Sequence, residues 1–368
     1  MKTVISVVGA RPNFMKVAPI DRAFKKYKNE VRHLIVHTGQ HYDYKMSDAF
    51  FQDLEMPQPA HFLNVGSGSH AEQTAKVMIA FEKVCLEEKP DLVLVVGDVN
   101  STIAAALTAV KLGIPVAHVE GGLRSGDRKM PEEINRLATD AISEYCFVTE
   151  PSAVENLTRE NFPVDKIRMV GNTMIDSLHF ALPKCENSKI LEKNGLTENS
   201  YVLTTIHRPS NVDEPEQLKM LLEVFDYLSK SRKIVFPIHP RTLKNIEKFD
   251  LGGIVRDNKN IIFLEPLGYI DFLTLMKSAD FIMTDSGGIQ EETTALSKHC
   301  LTLRTTTERP ITIKSGTNQL ILPEKENIIA AIDRMLNEPR RAGTVPGNWD
   351  GKTATRICMI IVNEILSI

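Results

Sequence analysis

Several polar residues that could do chemistry come directly after apolar, strand-like runs of this sequence. The carboxyl ends of parallel strands meet at one edge of a sheet, and open α/β sheets bind ligands there. Six such runs, drawn from both halves of the chain, end in polar residues, which indicates a cleft with two facing walls. The alternative interpretation is that these residues are helix caps and turn residues. They are Arg11, Asp98, Glu120, His207, His239 and the segment Asp285-Ser286-Gly287-Gly288.

Two glycine-containing turns could bind a phosphate or a diphosphate. Ser286-Gly287-Gly288 opens a predicted helix, whose free N–H groups and dipole favour an anion. Gly9-Ala10-Arg11-Pro12 also leads into a helix, and Gly9 is expected to let the backbone approach an anion. This turn lacks the GxGxxG or Walker spacing, so an ordinary strand–helix connection is an equal alternative. Lys16 faces either the same site or solvent, and Glu292 is either an acceptor for ribose hydroxyls or a surface charge.

Acidic residues near the same sheet edge could act as acid and base. Asp98 and Glu120 end neighbouring strand units, and converging carboxylates push each other's pKa values apart. Glu132 and Arg136 stand four positions apart in a helix that begins at Pro131, so they share one helix face. They form either an exposed ion pair or a carboxylate that a guanidinium holds beside a substrate.

Two histidines also end strand-like runs. His207 and His239 are either core histidines or site residues. His207 is the stronger candidate for a site, because a second polar residue, Arg208, follows it.

The elements that must position these residues alternate between short apolar runs and longer helical patterns. Runs that are apolar throughout are typical of parallel strands buried on both faces. Alternation of strand and helix predicts parallel sheets and an α/β fold. The predicted strands are Val4–Val8, His33–His37, Leu92–Val96, Pro115–Val119, Tyr145–Val148, Val202–Ile206, Ile234–Ile238, Ile261–Leu264, Phe281–Thr284 and Cys300–Leu303, and the predicted helices include Ala71–Glu88, Glu214–Ser231 and Thr353–Leu366.

The length of 368 residues favours two domains. The polar stretch Lys184–Ser200 breaks the strand–helix rhythm and separates two sets of units, so the boundary lies in or just before it. We predict that residues 1–175 form an N-terminal Rossmann-like domain, which the helix at 353–368 rejoins. Residues 176–352 form a second Rossmann-like domain.

Composition and charge narrow the function classes. Hydrophobic residues make up 42% and charged residues 25%, and the net charge is −3 without a basic block, which argues against nucleic-acid and membrane partners. The five cysteines are scattered without a CxxC pair, so neither a disulfide framework nor a zinc site is expected. The N-terminal apolar run is too short for a signal peptide, and no run approaches the length of a membrane span. A cytoplasmic location is the expectation.

Six segments, in the same order, resemble motifs of the non-hydrolysing UDP-N-acetylglucosamine 2-epimerase family. GARPNFMKVAP resembles the family's opening GTRPEAIKMAP, and VVGDVNST resembles its GD turn. HVEGGLRSGD resembles HVEAGLR, and PEEINR matches PEEANR. DSGGIQEE matches DSGG-QEE, and LRTTTERP resembles the LR-TTERP segment. The resemblance extends over nearly the whole chain.

The resemblance implies a GT-B-like pair of Rossmann-like domains and reversible conversion of UDP-GlcNAc to UDP-ManNAc. Anti elimination of UDP would give 2-acetamidoglucal, and re-addition would complete the inversion. Neither a metal nor a cofactor is implied, because nothing is oxidised overall; a homodimer and a place in polysaccharide biosynthesis are implied. The resemblance places Asp98, Glu120, Glu132 and His207 on catalytic acid/base positions with Arg136 beside them, and Arg11, Lys16, His239, Phe272, Ser286, Gly287, Gly288, Glu292 and Arg304 on substrate or UDP-binding positions.

Two departures from the family pattern leave details open. The family's HRREN appears here as His207-Arg208-Pro209-Ser210-Asn211, which lacks a charged pair. The family's TGQHREM appears as TGQHYDYKM over residues 38–46, and in bacterial members this region helps to bind a second UDP-GlcNAc as an activator. Activation by substrate and the identity of the N-acetylhexosamine therefore stay open. The alternative functions are a GT-B glycosyltransferase with a UDP-sugar donor, a hydrolysing epimerase that releases ManNAc and UDP, and a nucleotide-sugar sensor without activity.

Overall fold

The computed structural model describes residues 1–39 and 53–367, apart from the side chain of Arg11. The chain divides into two compact units, Met1–Phe180 with Gly347–Ile368, and Ala181–Pro346. The boundaries predicted from the sequence lie after residue 175 and before residue 353, whereas these divisions lie after Phe180 and before Gly347.

A parallel sheet forms the centre of the first unit. Its described strands are β1 (Lys2–Val8), β2 (Val31–His37), β3 (His61–Phe62), β4 (Leu92–Val96), β5 (Val116–Val119), β6 (Tyr145–Val148) and β7 (Ile167–Met169). They lie in the order β3-β2-β1-β4-β5-β6-β7, and every neighbouring pair is parallel. The direction of winding reverses between β1 and β4, which is the doubly wound arrangement.

The second unit repeats this plan. Its described strands are β8 (Tyr201–Thr205), β9 (Lys233–Pro237), β10 (Ile261–Leu264), β11 (Phe281–Thr284), β12 (Cys300–Leu303) and β13 (Asn318–Ile321). All neighbours in the order β10-β9-β8-β11-β12-β13 are parallel, and the winding reverses between β8 and β11. The two sheets confirm the predicted α/β class with two Rossmann-like domains.

Helices connect successive strands of both sheets. The described α-helices are α1 (Arg11–Phe24), α2 (His70–Glu88), α3 (Asn100–Lys111), α4 (Pro131–Ile142), α5 (Pro151–Arg159), α6 (Thr173–Ala181), α7 (Ile190–Lys193), α8 (Pro209–Val212), α9 (Pro215–Ser229), α10 (Pro240–Lys248), α11 (Tyr269–Ser278), α12 (Gly287–Ala295), α13 (Pro310–Lys314), α14 (Lys325–Asn337) and α15 (Thr353–Ile360). Among the helices that the structure describes, none has the length and apolar character that a membrane crossing requires.

Apolar side chains on both faces of each sheet hold the helices in place. All five residues of β4 are buried, and Val93 and Val95 pack with Phe81 of α2 and Ala105 of α3. In the second unit Phe225 of α9 and Phe236 of β9 meet edge to face, with ring centroids 5.4 Å apart. Burial on both faces leaves polar positions mainly at the strand ends, where a site can form.

The C-terminal helix belongs to the first unit. The N–H groups of Thr353 and Ala354 donate to the Asp176 carboxylate at 3.1 and 2.7 Å, which fixes the start of α15. The Cys358 thiol donates to the Ile20 carbonyl of α1 at 3.6 Å. The predicted helix extended to Leu366, whereas α15 ends at Ile360 and continues as a π-helical turn over Ile361–Ile365.

Candidate active site

The two points where strand order reverses bring the predicted polar residues to one edge of each sheet. In the first unit Gly9 follows β1 and Asp98 follows β4. In the second unit His207 comes after β8, and Asp285 comes directly after β11. Open α/β sheets bind ligands at such switch points. Each unit therefore offers one candidate binding edge.

Asp98 is held by a buried guanidinium. Arg136 of α4 forms an ion pair with Asp98, and its Nη2 lies 2.7 Å from Oε2 of Glu133. The Arg136 side chain is 3% exposed, whereas the Asp98 side chain is 25% exposed. The guanidinium thus orients a carboxylate that still reaches solvent, which is what a group acting on a bound substrate requires.

The partner of Arg136 differs from the one that the sequence predicts. Glu132 is exposed, and within residues 1–39 and 53–367 its side chain makes neither a hydrogen bond nor an ion pair. The adjacent Glu133 is 2% exposed and takes the place expected for Glu132. The expected pairing was wrong because positions three apart also share a helix face, and the buried one of the two carboxylates faces Arg136.

Glu133 also anchors the loop that precedes α4. Its carboxylate accepts the N–H groups of Ser125 and Gly126, each at 2.9 Å. Burial alone would raise the pKa of Glu133, but these two amides and Arg136 outweigh burial and hold the pKa below its ordinary value. With its oxygens occupied in this way, Glu133 serves as a fixed anion of the structure.

Glu120 and Lys16 form a second buried ion pair. Lys16 Nζ lies 2.6 Å from Glu120 Oε2, and the two side chains are 6% and 4% exposed. Glu120 directly follows β5 and has a left-handed φ of 70°, which few residues other than glycine adopt. A side chain on Gly97 would place its Cβ 2.9 Å from Lys16 Nζ, so glycine leaves the space that the ammonium occupies. The strands β4 and β5 are neighbours, which puts Asp98 and Glu120 at the same sheet edge.

The turn after β1 uses its glycine for packing. A Cβ on Gly9 would lie 2.2 Å from Ser101 Oγ, so glycine is required by the close approach of α3. The N–H groups of Gly9 and Ala10 both donate to Asn13 Oδ1 at 3.0 Å. The expectation that Gly9 lets an anion approach is therefore replaced by a packing role. Arg11 is the first residue of α1.

In the second unit the buried Asp285 organises the turn that carries His207. Its carboxylate accepts the N–H groups of His207 and Arg208, both at 2.9 Å, and Asn211 Nδ2 at 3.0 Å. The His207 ring places Nδ1 3.0 Å from Asp285 Oδ1, while the side chain is 39% exposed. Burial alone would raise the pKa of Asp285, but the His207 ring and these amides hold it below its ordinary value. An ionised aspartate thus orients an accessible imidazole.

The predicted diphosphate-binding turn opens a two-and-a-half-turn helix beside two arginines. Ser286 is the N-cap residue of α12, and Gly287 and Gly288 are its first two residues. A Cβ on Gly287 would lie 2.9 Å from Glu308 Oε1 and 3.2 Å from Arg309 Nη1. Free N–H groups at a helix start attract anions, and the missing side chain lets other groups come close.

Arg304 is a buried cation next to this helix start. Its Nη2 donates to Glu308 Oε2 at 2.9 Å, and its side chain is 4% exposed. Its Nη1 is buried and has no hydrogen-bond partner among the described residues. Glu308 in turn contacts Arg309, whose Nε lies 2.7 Å from Glu291 Oε1. An unpartnered guanidinium nitrogen is the donor that an oxyanion would satisfy.

The remaining predicted UDP-binding residues lie on neighbouring elements of the second unit. Glu292 of α12 is buried, and its Oε1 accepts the Tyr269 hydroxyl at 2.7 Å, so it is not a surface charge. Phe272 of α11 is half-buried and packs against the core of this unit. His239 accepts the Arg241 N–H at 3.2 Å as the N-cap of α10, and its ring lies 5.4 Å from the His207 ring.

Five buried residues of these clusters were missed by the sequence reasoning as site residues. Glu133 stood beside Glu132 in PEEINR, and Glu308 and Arg309 stood in the quoted segment LRTTTERP, so a signal for these three existed. The fourth, His118 within β5, opens the segment HVEGGLRSGD, so the same signal existed for it. The fifth, Asp140 within α4, lies in none of the six segments, and its contact with His118 joins positions far apart in sequence.

Two further expectations concern metals and the segment 38–46. Among residues 1–39 and 53–367 no group of three histidine, cysteine, aspartate or glutamate side chains could hold a metal ion. Thr38 and Gly39 are described, whereas residues 40–46 of the segment TGQHYDYKM lie outside the described residues.

Comparison with known proteins identifies the family of this chain. A sequence model of the UDP-N-acetylglucosamine 2-epimerase family matches residues 23–362. The UDP-N-acetylglucosamine 2-epimerase of Methanocaldococcus jannaschii is 45% identical over 366 residues, which cover 96% of this chain and 97% of that protein. The UDP-2,3-diacetamido-2,3-dideoxy-D-glucuronate 2-epimerase of Pseudomonas aeruginosa is 36% identical and covers 91% of this chain and 92% of its own.

A solved structure extends the likeness to the fold. The crystal structure of the Methanocaldococcus jannaschii UDP-GlcNAc 2-epimerase in complex with UDP-GlcNAc and UDP matches with a TM-score of 0.90 at 45% identity, covering 98% of this chain and 99% of that one. The family model, the full-length identity and the shared fold agree. This chain belongs to the UDP-N-acetylglucosamine 2-epimerase family.

Proposed function

We propose that this chain interconverts UDP-GlcNAc and UDP-ManNAc by elimination and re-addition of UDP. UDP leaves C1 and a proton leaves C2; a proton then returns to the opposite face of C2, and UDP returns to C1. Membership of the family makes the chain an isomerase. The observation that carries the proposed mechanism is the pair of carboxylates Asp98 and Glu120, which follow neighbouring strands and are each held by a buried cation.

Departure of the diphosphate is the first step of this reaction. Breaking the anomeric C–O bond leaves negative charge on UDP, which preorganised donors stabilise as it develops. The N–H groups at the start of α12 and the buried Nη1 of Arg304 are such donors. Glu292, beside the Tyr269 hydroxyl, supplies an acceptor for the ribose hydroxyls.

Transfer of the C2 proton is the second step. The C2–H of a pyranose is a weak acid, and loss of UDP makes C1 oxocarbenium-like, which acidifies its neighbour. A carboxylate then removes the proton, and a second group on the opposite face of the ring returns one. We assign these roles to the set Asp98, Glu120 and Glu132 without dividing them. The Lys16 ammonium beside Glu120 offsets the cost of keeping a buried carboxylate charged.

His207 is placed to serve the leaving group. Its Nδ1 is oriented by Asp285, and the rest of its side chain is accessible. The same arrangement of aspartate and histidine orients imidazoles in hydrolases. We assign His207 to contact with UDP or with the oxygen that leaves C1.

The test is incubation of the purified chain with UDP-GlcNAc, followed by proton NMR and by chromatography of the nucleotide. We expect a manno-configured anomeric signal from a product in which UDP is again linked to the sugar. Free ManNAc with free UDP would instead indicate a hydrolysing epimerase, and transfer of the sugar to an added acceptor would indicate a glycosyltransferase. The same assay with UDP-2,3-diacetamido-2,3-dideoxy-D-glucuronate as a second substrate distinguishes between the two sugars that the names of the relatives give.

We also infer a cytoplasmic homodimer that supplies a precursor for polysaccharide synthesis. A reducing compartment is supported by the five cysteines, all of which are buried and free. Light scattering coupled to size-exclusion chromatography tests the dimer, for which a mass of twice 41.2 kDa is expected.

A further inference from the structure

A fully buried histidine lies beneath the strand ends that carry Asp98 and Glu120. His118 of β5 is 0% exposed, and both of its ring nitrogens face oxygen acceptors. Nε2 lies 2.7 Å from the Gly97 carbonyl oxygen, and Nδ1 lies 2.6 Å from Asp140 Oδ1. A carbonyl oxygen only accepts, and so does an ionised carboxylate, so this geometry requires hydrogen on both nitrogens.

Asp140 is held as the anion that this ring requires. Burial alone would raise the pKa of Asp140, but the charge and hydrogen bond of His118, the Arg124 guanidinium and the Gly122 N–H hold it below its ordinary value. Arg124 Nη1 lies 2.7 Å from Asp140 Oδ2, and the Cys146 thiol donates to Oδ1 at 3.6 Å. The groups that face His118 and Asp140 from α4, β4, β6 and the loop after β5 thus form one compensated ion cluster.

One end of this cluster fixes the turn that carries Asp98. Three consecutive carbonyl oxygens at the end of β4 each accept a side-chain donor, from Asn13 to Val96 at 3.0 Å, from His118 to Gly97, and from Asn135 to Asp98 at 2.9 Å. Gly97 has a left-handed φ of 67°, so its peptide orientation depends on such contacts. His118 supplies the central contact, directly before the residue that bears the carboxylate.

The other end fixes the turn that carries Glu120. Asp140 Oδ2 accepts the Gly122 N–H at 3.0 Å, two residues beyond Glu120. A Cβ on Gly121 would lie 2.9 Å from Asp140 Oδ1, so the loop passes close over this carboxylate. Glu120, which has a left-handed φ of 70°, therefore lies next to backbone that Asp140 fixes by a hydrogen bond.

We infer that His118 is a positioning residue whose ring, clamped between the Gly97 carbonyl and Asp140, sets the Asp98 and Glu120 turns relative to each other. It touches no substrate in this role and acts through backbone. Because this role rests on the proposed function, turnover of the unaltered chain is measured beside every variant.

Two substitutions separate the two hydrogen bonds of His118. In His118→Gln the side-chain amide nitrogen reaches the place of Nε2 and keeps the donor to Gly97, whereas in His118→Asn it takes the place of Nδ1 and keeps the donor to Asp140. We expect His118→Asn to lower kcat about 100-fold, which is the order of loss that an ångström-scale misplacement produces. We expect the kcat of His118→Gln to be at least about tenfold higher than that of His118→Asn. KM and the dissociation constant of UDP should stay within about twofold of the unaltered values, since the partners to which the His118 ring is hydrogen-bonded among the described residues, Gly97 and Asp140, are not predicted UDP-binding residues.

A proportional loss of kcat, UDP affinity and thermal stability in both variants would reduce His118 to a packing residue, and an unchanged kcat in His118→Asn would remove the role altogether. Nitrogen-15 NMR of the unaltered chain, labelled at histidine, gives a second readout. Both His118 nitrogens should show the shifts of protonated nitrogens at neutral pH, and one unprotonated nitrogen would overturn the clamp. Failure of the unaltered chain to epimerise would contradict the proposed function, while the nitrogen shifts would still decide the state of His118.

Discussion

At the scale of single residues, the structure separates two adjacent glutamates that look equivalent in the sequence. Glu133 is buried, bonded to the Ser125 and Gly126 amides and paired with Arg136, whereas Glu132 is exposed. An acid or base must reach a substrate, and a structural anion must have its oxygens satisfied. The two residues therefore have different roles, with Glu132 the one open to solvent.

Matched glutamine variants test this division. Glu132→Gln should lower kcat about 100-fold or more, because a proton-transfer group is lost, while folding and UDP binding persist. Glu133→Gln should lower the free energy of unfolding by roughly 3 kcal/mol, because it leaves the buried Arg136 with one anion fewer. Turnover assays, UDP titration and urea unfolding of both variants give the comparison. Near-normal turnover of Glu132→Gln would remove that residue from the chemistry.

At the scale of elements, the buried strands and the edge strand β10 could be predicted from the sequence, whereas the other edge strands, β3, β7 and β13, could not. The run LVLVV of β4 is apolar throughout because the sheet buries both of its faces. By contrast β3, β7 and β13 lie at sheet edges, and their short segments HF, IRM and NQLI lack a continuous apolar run. Edge strands are solvated on one side, so their composition resembles that of loops.

The residues of the candidate site could likewise be predicted from the sequence only in part. The strand-end rule located Asp98, Glu120, His207 and Ser286, since each follows an apolar run. It could not supply the contact of His118 with Asp140, which joins β5 to α4. Pairings between elements depend on tertiary packing, and a single sequence carries no periodicity for them.

A substitution at the start of α12 tests the role of this helix in UDP binding. Gly287→Ala would bring a methyl group to 2.9 Å from Glu308 Oε1, and Glu308 is buried and paired with Arg304 and Arg309, so it cannot yield freely. We expect UDP affinity to fall about tenfold, or about 1.4 kcal/mol, by calorimetric titration. Gly253→Ala is the matched control in the same unit, because its Cβ would meet nothing within 4 Å. Equal affinities of the two variants would contradict a role of this helix start in UDP binding.

At the scale of the whole molecule, one buried histidine should make stability depend on pH. His37 is 1% exposed between the rings of Phe14 and Phe62, and its Nδ1 accepts the Gly39 N–H at 2.8 Å. Burial lowers the pKa of His37 from 6.5 to about 4. Between these values the unfolded chain binds a proton that the folded chain does not, so stability falls as pH falls.

His37→Asn keeps an acceptor for the Gly39 N–H and removes the titration. Between about pH 7 and pH 5 the unaltered chain should lose about 2 kcal/mol more of its free energy of unfolding than the variant. Urea unfolding at the two pH values measures this difference. Parallel losses in both proteins would show that His37 does not titrate as its burial requires.

In the proposed mechanism, departure of UDP makes the C2 hydrogen exchangeable. Turnover of UDP-GlcNAc in D2O, with recovery of the nucleotide sugars and proton NMR of the C2 position, measures this exchange. Deuterium at C2 of the recovered UDP-sugars is the expected result, because the carboxylates return a solvent-derived proton. Epimerised product that retains hydrogen at C2 would contradict proton transfer at that carbon and with it the roles assigned to Asp98, Glu120 and Glu132.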